Sequence, residues 1–307
     1  MEKIHVIGKI SLTPQQRKRL EKMGVSYLAD TDPISRSDFD EILKRVCDAT
    51  VVLNNVSTPL PESVLNRCHG LKFIQTWSTG VDHIDLKYAE DKGIRVANVR
   101  NYSTEAVAEK TIGAMILLAN DLLTANLDAK NGNWNYQGFT GTELKGKTLL
   151  TVGYGETAKR VSKLAMVFGM KVTNSNSKTS IHELNRLIER AHFITINCPL
   201  NRDTYHLIGS QQFELMKDVV LINYARGGIV DEDSLLRFLE SWNVKCAALD
   251  VFEKEPPGKD NALIHHPRVF VTPHISWNTI ESMTSLTERC IDNIESYIEG
   301  TPLNTVV

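Results

Sequence analysis

At 307 residues with 42% hydrophobic content, the chain is long enough for two ordinary domains with real cores. A formal net charge of -2, with no basic stripe or charge block, makes nucleic acid and anionic membranes poor partners. The opening segment lacks the apolar core of a signal peptide and no apolar run reaches membrane-spanning length, so a soluble cytoplasmic chain is expected.

The first hundred residues alternate short apolar runs with stretches of helical spacing. Strands are expected over 4–8, 50–54, 71–77 and 94–99, and helices just after Thr13-Pro14 and over 37–49, 61–69 and 83–92. That order makes an α/β domain of parallel character. Parallel sheets bind ligands in the loops at the carboxyl ends of their strands, here the segment between Leu53 and Pro61 and the run Ser78-Thr79-Gly80-Val81-Asp82. Backbone N–H groups near Gly80 would suit a small anion, and the alternative is that Gly80 and Asp82 only turn and cap.

From Thr104 to Asp128, apolar residues (Ala106, Val107, Ile112, Met115, Ile116, Leu118, Leu122) lie nearly all round one long helix. More than one surface must cover it, as a domain junction plus a subunit contact would. After a loop over 131–143 comes an apolar run, Leu149 to Val152, that enters a turn with Gly153 and Gly155. A segment with Val161, Leu164, Ala165 and Phe168 at helical spacing leaves the turn, and a second strand starts at Val172. This is a βαβ unit of the length that holds the phosphates of a dinucleotide.

The glycines have separate tasks there: Gly153 permits the tight turn and Gly155 lets the backbone approach a pyrophosphate, while Ala158 is the small residue where helix and strand pack. The helix starting near Glu156 would aim unpaired N–H groups at the ligand. Gly-x-Gly-x-x-Ala alone is a weak signal, and the flanking strand, helix and strand raise it above an ordinary turn. Strand and helix alternation continues over 181–272. The helix over 279–299 lies too far along for a six-strand nucleotide fold and is expected to return to the first domain. The five cysteines, Cys47, Cys68, Cys198, Cys246 and Cys290, are widely spaced and read as reduced, mostly core residues, with no metal site.

Three later loops carry chemistry. Ile222-Asn223-Tyr224-Ala225-Arg226-Gly227-Gly228 delivers an arginine from an apolar strand into a Gly-Gly turn, its planar fork suited to a carboxylate or carbonyl oxygen. Leu249-Asp250-Val251-Phe252-Glu253-Lys254-Glu255-Pro256 runs a strand into an acidic loop, and Val271-Thr272-Pro273-His274-Ile275-Ser276 puts a histidine at another strand end. Taken singly, these read as a surface ion pair, a solvated charge and a hydrogen-bonded histidine. Together they form a set for polar carbonyl chemistry, because a carboxylate favours the charged form of a neighbouring imidazole, which can donate a proton to a developing alkoxide.

These residues resemble the D-isomer-specific 2-hydroxyacid dehydrogenases over almost the whole chain. The matching motifs are Ser-Thr-Gly-Val-Asp-His-Ile-Asp (78 to 85), Asn-Val-Arg-Asn-Tyr-Ser-Thr-Glu-Ala-Val-Ala-Glu (98 to 109), the Gly-rich turn, Asn-Cys-Pro-Leu-Asn-Arg-Asp-Thr (197 to 204), Asn-Tyr-Ala-Arg-Gly-Gly (223 to 228) and the two loops around Glu255 and His274. The resemblance implies two doubly wound, Rossmann-like parallel α/β domains, 1–99 plus 279–307 for substrate and 100–278 for NAD(P), with the active site in the cleft between them. It implies a homodimer joined through the nucleotide domain. It also implies that Arg226 binds the carboxylate and carbonyl of a 2-oxo acid, that His274 is the acid/base, and that Glu255, the carboxylate just before the proline, is its partner rather than Glu253.

By the same resemblance the cofactor contacts would come from Gly153, Tyr154, Gly155, Glu156, Thr157, Asn176, Ser177, Lys178, Cys198, Pro199, Thr204, Ala225 and Asp250, the last meeting the nicotinamide amide. The substrate contacts would come from Asn55, Thr79, Gly80, Val81 and Arg226. Trp277, Trp134 and Tyr102 either trim the pocket or belong to the core.

Two departures from the family pattern matter. Where NAD-specific members place an aspartate for the ribose hydroxyls, this chain has Asn176, then Ser177 and Lys178. This predicts that NADP(H) is at least accepted, the alternative being a solvated loop lysine. Glu156-Thr157 puts a carboxylate near the phosphates unless it points to solvent. Asn54-Asn55-Val56 and Asn-Tyr-Ser-Thr-Glu look most like the glyoxylate and hydroxypyruvate reductase branch. Formate dehydrogenases share Thr-Pro-His-Ile-Ser but pair their histidine with a glutamine. Two other readings stay open: a cofactor-sensing corepressor of the same fold, and a dehydrogenase for an unusual acid such as a phosphonate.

Overall fold

The computed structural model describes residues 2–8, 10, 12–28 and 38–307. The chain divides into two compact units, residues 1–103 with 279–307 and residues 104–278. The first unit begins β1 (Ile4–Ile7), α1 (Pro14–Lys22), β2 (Val25–Leu28), α2 (Phe39–Val46), β3 (Val51–Asn54), α3 (Glu62–Leu65), β4 (Phe73–Thr76), α4 (Leu86–Asp91) and β5 (Arg95–Ala97). Its strands lie in the order β2-β1-β3-β4-β5, all parallel. Local chemistry sets the helix starts: Thr13 and Gln16 form a reciprocal capping box with Pro14 in the first turn, and Asp38 and Asp85 cap α2 and α4. Ser37, expected to open the second helix, lies outside the described residues. The strand β2 was not anticipated; it is a four-residue edge strand whose Val-Ser-Tyr-Leu carries little apolar signal.

The second unit runs α5 (Thr104–Ala119), α6 (Leu122–Lys130), β6 (Thr148–Val152), α7 (Glu156–Val167), β7 (Lys171–Ser175), α8 (Ile181–Ile188), β8 (Phe193–Ile196), α9 (Ser210–Glu214), β9 (Val219–Asn223), α10 (Glu232–Glu240), β10 (Val244–Leu249), α11 (Ala262–His265) and β11 (Val269–Val271). Its parallel sheet has the order β11-β10-β9-β8-β6-β7. Alternate residues feed two cores: Leu150, Val152, Ile194 and Ile196 pack on one face, and Leu149, Phe193, Ile222 and Ala248 on the other. Both faces are covered, which is why the strands read as apolar runs rather than as alternation.

The single helix expected over 104–128 is two helices. Asp121 adopts φ 49°, the Thr142 N–H takes the Ala119 carbonyl at 2.8 Å, and Asn120 Nδ2 takes that of Ile116 at 3.0 Å. A Cβ on Gly141 would meet Asn120 Oδ1 at 2.3 Å, so the returning loop, not local propensity, ends α5. The final helix, α12 (Ile280–Ile298), belongs to the first unit. Arg19 of α1 bridges its Glu288, Asp292 (2.8 Å) and Glu295 (2.6 Å), Trp77 Nε1 donates to Thr287 Oγ1 at 2.9 Å, and the rings of Phe73 and Tyr297 stack with centroids 4.3 Å apart.

The cysteines depart from expectation in one place. Cys47, at the end of α2, and Cys68, just past α3, form a disulfide, while Cys198, Cys246 and Cys290 are free. The two partners are 21 residues apart in sequence, and only the packing of α2 and α3 on one core brings their Cα atoms to 4.1 Å. Among the described residues no helix is long and apolar enough to cross a membrane.

Candidate active site

In each unit the sheet order reverses beside the first strand, between β1 and β3 and between β6 and β8, where open α/β sheets bind ligands. The same device closes both points. Gly8, at the end of β1, has φ 92°, and a Cβ there would sit 2.6 Å from Asn55 Cβ. Gly153, at the end of β6, has φ 102°, and a Cβ there would sit 2.7 Å from the Asn197 and Cys198 backbone. Both glycines are required twice over, by backbone angle and by space.

The Gly153–Thr157 turn fits a dinucleotide's phosphates. Gly155 begins α7 with no side-chain cap, and a Cβ built on it would meet nothing within 4 Å, so the space beside the start of the helix is open. Ala158 is fully buried, as helix-on-strand packing needs. Glu156 turns back along α7, where its Oε1 accepts from Lys159 Nζ at 2.7 Å, and that hydrogen bond holds its carboxyl below the usual range. Tyr154 is half-exposed, and Lys159 lies 6.0 Å from its ring.

Past β7, Asn176 Oδ1 accepts from the Lys178 N–H at 2.8 Å, while Thr179 Oγ1 accepts from the Asn176 N–H at 3.0 Å. The Asn176 amide oxygen is thus turned into its own loop, and Ser177 and Lys178 are exposed. Thr204 Oγ1 donates to the Pro199 carbonyl at 2.6 Å and accepts from the Asn201 N–H at 2.8 Å, closing the loop after β8. Burial pushes the Cys198 thiol up to about 11, so it stays protonated at neutral pH.

Three strand ends of the second unit meet at Arg226, Glu255 and His274. His274 Nδ1 lies 2.6 Å from Glu255 Oε2, and the Phe252 N–H donates to Glu255 Oε1 at 3.2 Å. Burial raises the Glu255 pKa, but the hydrogen bond and charge of His274, the Phe252 N–H and the charge of Arg226 outweigh it and leave a net lowering. Glu253 is engaged elsewhere, 2.9 Å from His206 Nε2, while its N–H donates to Glu232 Oε1 at 2.6 Å. Of the two loop carboxylates, therefore, only Glu255 is bonded to His274.

The Arg226 loop is stapled by Asn223, whose Nδ2 donates to the Arg226 carbonyl at 2.9 Å and whose Oδ1 accepts from the Ala225 N–H at 3.2 Å. Arg226 Nη1 donates to the Ala225 carbonyl at 2.8 Å. Asp250 is buried and holds the histidine loop: Oδ1 accepts from Thr272 Oγ1 at 2.5 Å and from the Ile275 N–H at 2.7 Å, and Oδ2 accepts from the Ser276 N–H at 2.7 Å. The sequence motif marked Asp250 but not this use of its oxygens. Asn223 lay within a quoted motif with no role assigned, its only signal being a buried amide at a strand end.

In the first unit, Asn98 Nδ2 donates to the Thr79 carbonyl, Ser78 Oγ to that of Gly80 and the Ile84 N–H to that of Val81, at 2.7, 2.5 and 2.9 Å. Among the described residues no backbone carbonyl takes the N–H groups of Thr79, Gly80 or Val81. The Asn55 N–H donates to the Ile7 carbonyl at 3.1 Å, and its Oδ1 accepts from the Ser57 N–H at 3.1 Å. Trp277 Nε1 donates to the His274 carbonyl at 2.9 Å, whereas Trp134 is 92% exposed and so not part of the core. Among the described residues no group of three or more His, Cys, Asp or Glu side chains is placed to hold a metal ion.

A doubly wound sheet with a phosphate-fitting Gly turn, and a histidine bonded to a carboxylate at neighbouring strand ends, define a dinucleotide-binding α/β protein. Residues 112–276 match the model of the D-isomer-specific 2-hydroxyacid dehydrogenase NAD-binding domain. The chain is 36% identical over 280 residues to D-3-phosphoglycerate dehydrogenase of Methanocaldococcus jannaschii, covering 87% of this chain and 53% of that protein. It is 31% identical over 305 residues to hydroxypyruvate reductase of Blautia hydrogenotrophica, covering 94% of each. Among solved structures it resembles an acyclic imino acid reductase in complex with NADPH and D-Arg, with TM-score 0.90 and 27% identity over 99% of this chain and 100% of that one.

The chain belongs to the D-isomer-specific 2-hydroxyacid dehydrogenase family. That family is one of NAD-dependent oxidoreductases that interconvert 2-oxo and 2-hydroxy acids.

Proposed function

We propose that this chain reduces a small 2-oxo acid of the glyoxylate or hydroxypyruvate kind to its D-2-hydroxy acid. The observation that carries the reading is the 2.6 Å bond between His274 Nδ1 and Glu255 Oε2. With Glu255 ionised, Nδ1 donates to it, and Nε2 is left to hold a proton and release it to the substrate oxygen. Arg226 binds the carboxylate and carbonyl of the acid and stabilises the negative charge that develops on its oxygen. When bound, the dinucleotide supplies the hydride that reduces the carbonyl carbon.

NADP(H) is accepted in this reading, because no carboxylate follows β7 and the exposed Lys178 stands where a 2′-phosphate would be received. The solved relative in complex with NADPH supports this. The test is oxidation of NADPH and NADH with glyoxylate, hydroxypyruvate, pyruvate and a phosphonate-bearing oxo acid. Turnover is expected with at least one acid, and Lys178→Ala is expected to raise the NADPH KM about two- to fivefold, the worth of one exposed ion pair, without changing that for NADH. Cofactor binding without turnover on any acid would support a cofactor sensor instead. A far higher KM for NADPH than for NADH, unchanged in the variant, would remove the NADP reading.

A homodimer through the nucleotide-binding unit belongs to the same proposal. On α6, Leu122, Leu123 and Leu127 are 49, 40 and 52% exposed, and Trp134 and Tyr136 follow at 92 and 86%. Apolar residues so clustered mark an interaction surface. Sedimentation equilibrium is expected to give twice the chain mass, and a doubly charged variant, Leu123→Glu with Leu127→Glu, is expected to give a monomer.

A further inference from the structure

We propose that Lys110 is a positioning residue for His274, its ammonium on α5 fixing the carbonyl groups that follow the histidine. This rests on the acid/base reading of His274. His274 has φ 53°, in the left-handed region that residues with a side chain seldom adopt. Such a backbone persists only where its surroundings over-determine it.

The anchors can be enumerated. The His274 N–H donates to the Asp250 carbonyl at 2.9 Å, and Asp250's carboxylate takes the N–H groups of Ile275 and Ser276. Trp277 Nε1 donates to the His274 carbonyl. Further along, the Ile275 carbonyl accepts from the Asn278 N–H at 2.9 Å and from Lys110 Nζ, and the Asn278 carbonyl accepts from Lys110 Nζ at 3.0 Å. Asp250 thus holds three N–H donors of the loop, and Lys110 two of its carbonyls, that of Asn278 among them. Without either set, the strained turn loses a constraint on where the imidazole points.

Lys110 also connects this loop to the nucleotide turn. Helix α5 packs along α7, and Glu105, one turn before Lys110, accepts from Arg160 of α7 in a bidentate pair at 2.7 and 2.6 Å. One rigid helix is therefore tied at Glu105 to the helix that leaves the Gly-rich turn and at Lys110 to the histidine loop. An ammonium with a long stem suits two carbonyls that diverge, and methionine matches the stem without the charge.

The experiment compares Lys110→Met, Lys110→Arg and His274→Gln with the unaltered protein. Lys110→Met is expected to lower kcat about ten- to hundredfold, as a misplaced catalytic group does, with the cofactor KM changed less than about twofold. Its melting temperature is expected to stay near that of the unaltered protein, and Lys110→Arg to restore most of kcat. Independently of turnover, amide exchange at Ile275 and Ser276 is expected to accelerate in Lys110→Met. The proposal is overturned if Lys110→Met keeps full kcat and unchanged exchange at those amides while His274→Gln is inactive. If the unaltered protein reduces no oxo acid but exchange still accelerates, the acid/base reading is what fails, and Lys110 remains a clamp on the loop without a catalytic consequence.

Discussion

Replacement of His274 by glutamine is expected to lower kcat for 2-oxo acid reduction about 100- to 10,000-fold, the usual worth of a positioned acid/base group. Cofactor affinity should survive, because the Gly153–Thr157 turn and the start of α7 share no hydrogen bond with His274. Glu255→Gln is the companion variant. It keeps an acceptor for the Phe252 N–H but removes the charge that favours a protonated imidazole. Glu255→Gln should therefore lower kcat at neutral pH, though less than His274→Gln does.

The acid limb of the unaltered protein follows from the sign of the Glu255 shift. Its folded pKa lies below the ordinary carboxylate value of about 4.3, so the carboxylate stays charged through the neutral range. What this group adds to stability is present above that ordinary value and disappears as pH falls through the lower, folded one. Steady-state rates from about pH 4 to neutrality would check this limb. An acid limb that Glu255→Gln leaves in place would break the assigned pairing.

The fold was legible because both faces of each parallel sheet are covered, so that strands such as Val219–Asn223 appear as short apolar runs bounded by turn residues. Val25–Leu28 escaped because an edge strand of four residues carries no such run. The break between Ala119 and Leu122 escaped for a different reason. It is imposed by Gly141 and Thr142 returning from beyond the loop, and a window along the helix cannot see them. The Cys47–Cys68 bond is likewise a product of α2 and α3 packing on one core, not of spacing.

At the site, an arginine, a carboxylate and a histidine at strand ends were readable as a set. The family resemblance chose Glu255, the carboxylate just before the proline, over Glu253, and in the structure Glu255 is bonded to His274 while Glu253 is bonded to His206. The supports were not readable. Lys110 meets its carbonyls 165 and 168 residues further along, and the oxygens of Asp250 serve a loop that begins more than twenty residues after it. Support of this kind depends on strand register, which residue identity alone does not fix.

The second large effect is expected from the smallest change, Gly227→Ala. A Cβ on Gly227 would lie 1.9 Å from the Phe252 carbonyl carbon, 2.2 Å from its oxygen and 2.3 Å from the Glu253 nitrogen. Carbon atoms in ordinary contact are roughly 3.5–4.0 Å apart, and the obstruction here is backbone, which cannot rotate away as a side chain can. The loop that carries Arg226 and the loop that carries Glu255 must therefore separate, or one of them must leave its strand end. Overpacking of this kind costs about 1–3 kcal/mol in stability, and a displacement near 1 Å at a catalytic group costs about 100-fold in rate.

Gly228 is the internal comparison. A Cβ there would meet Leu200 Cδ2 at 3.3 Å and the Tyr205 ring at 3.5 Å, side-chain atoms that can yield. Gly228→Ala should fold with a denaturation midpoint close to that of the unaltered protein and keep most of its activity, whereas Gly227→Ala should either fail to accumulate folded or fold with kcat/KM lowered about 100-fold or more. Equal stability and equal turnover in the two variants would mean that the Arg226 and Glu255 loops do not touch as described, and the arrangement of arginine against carboxylate would lose its mechanical basis.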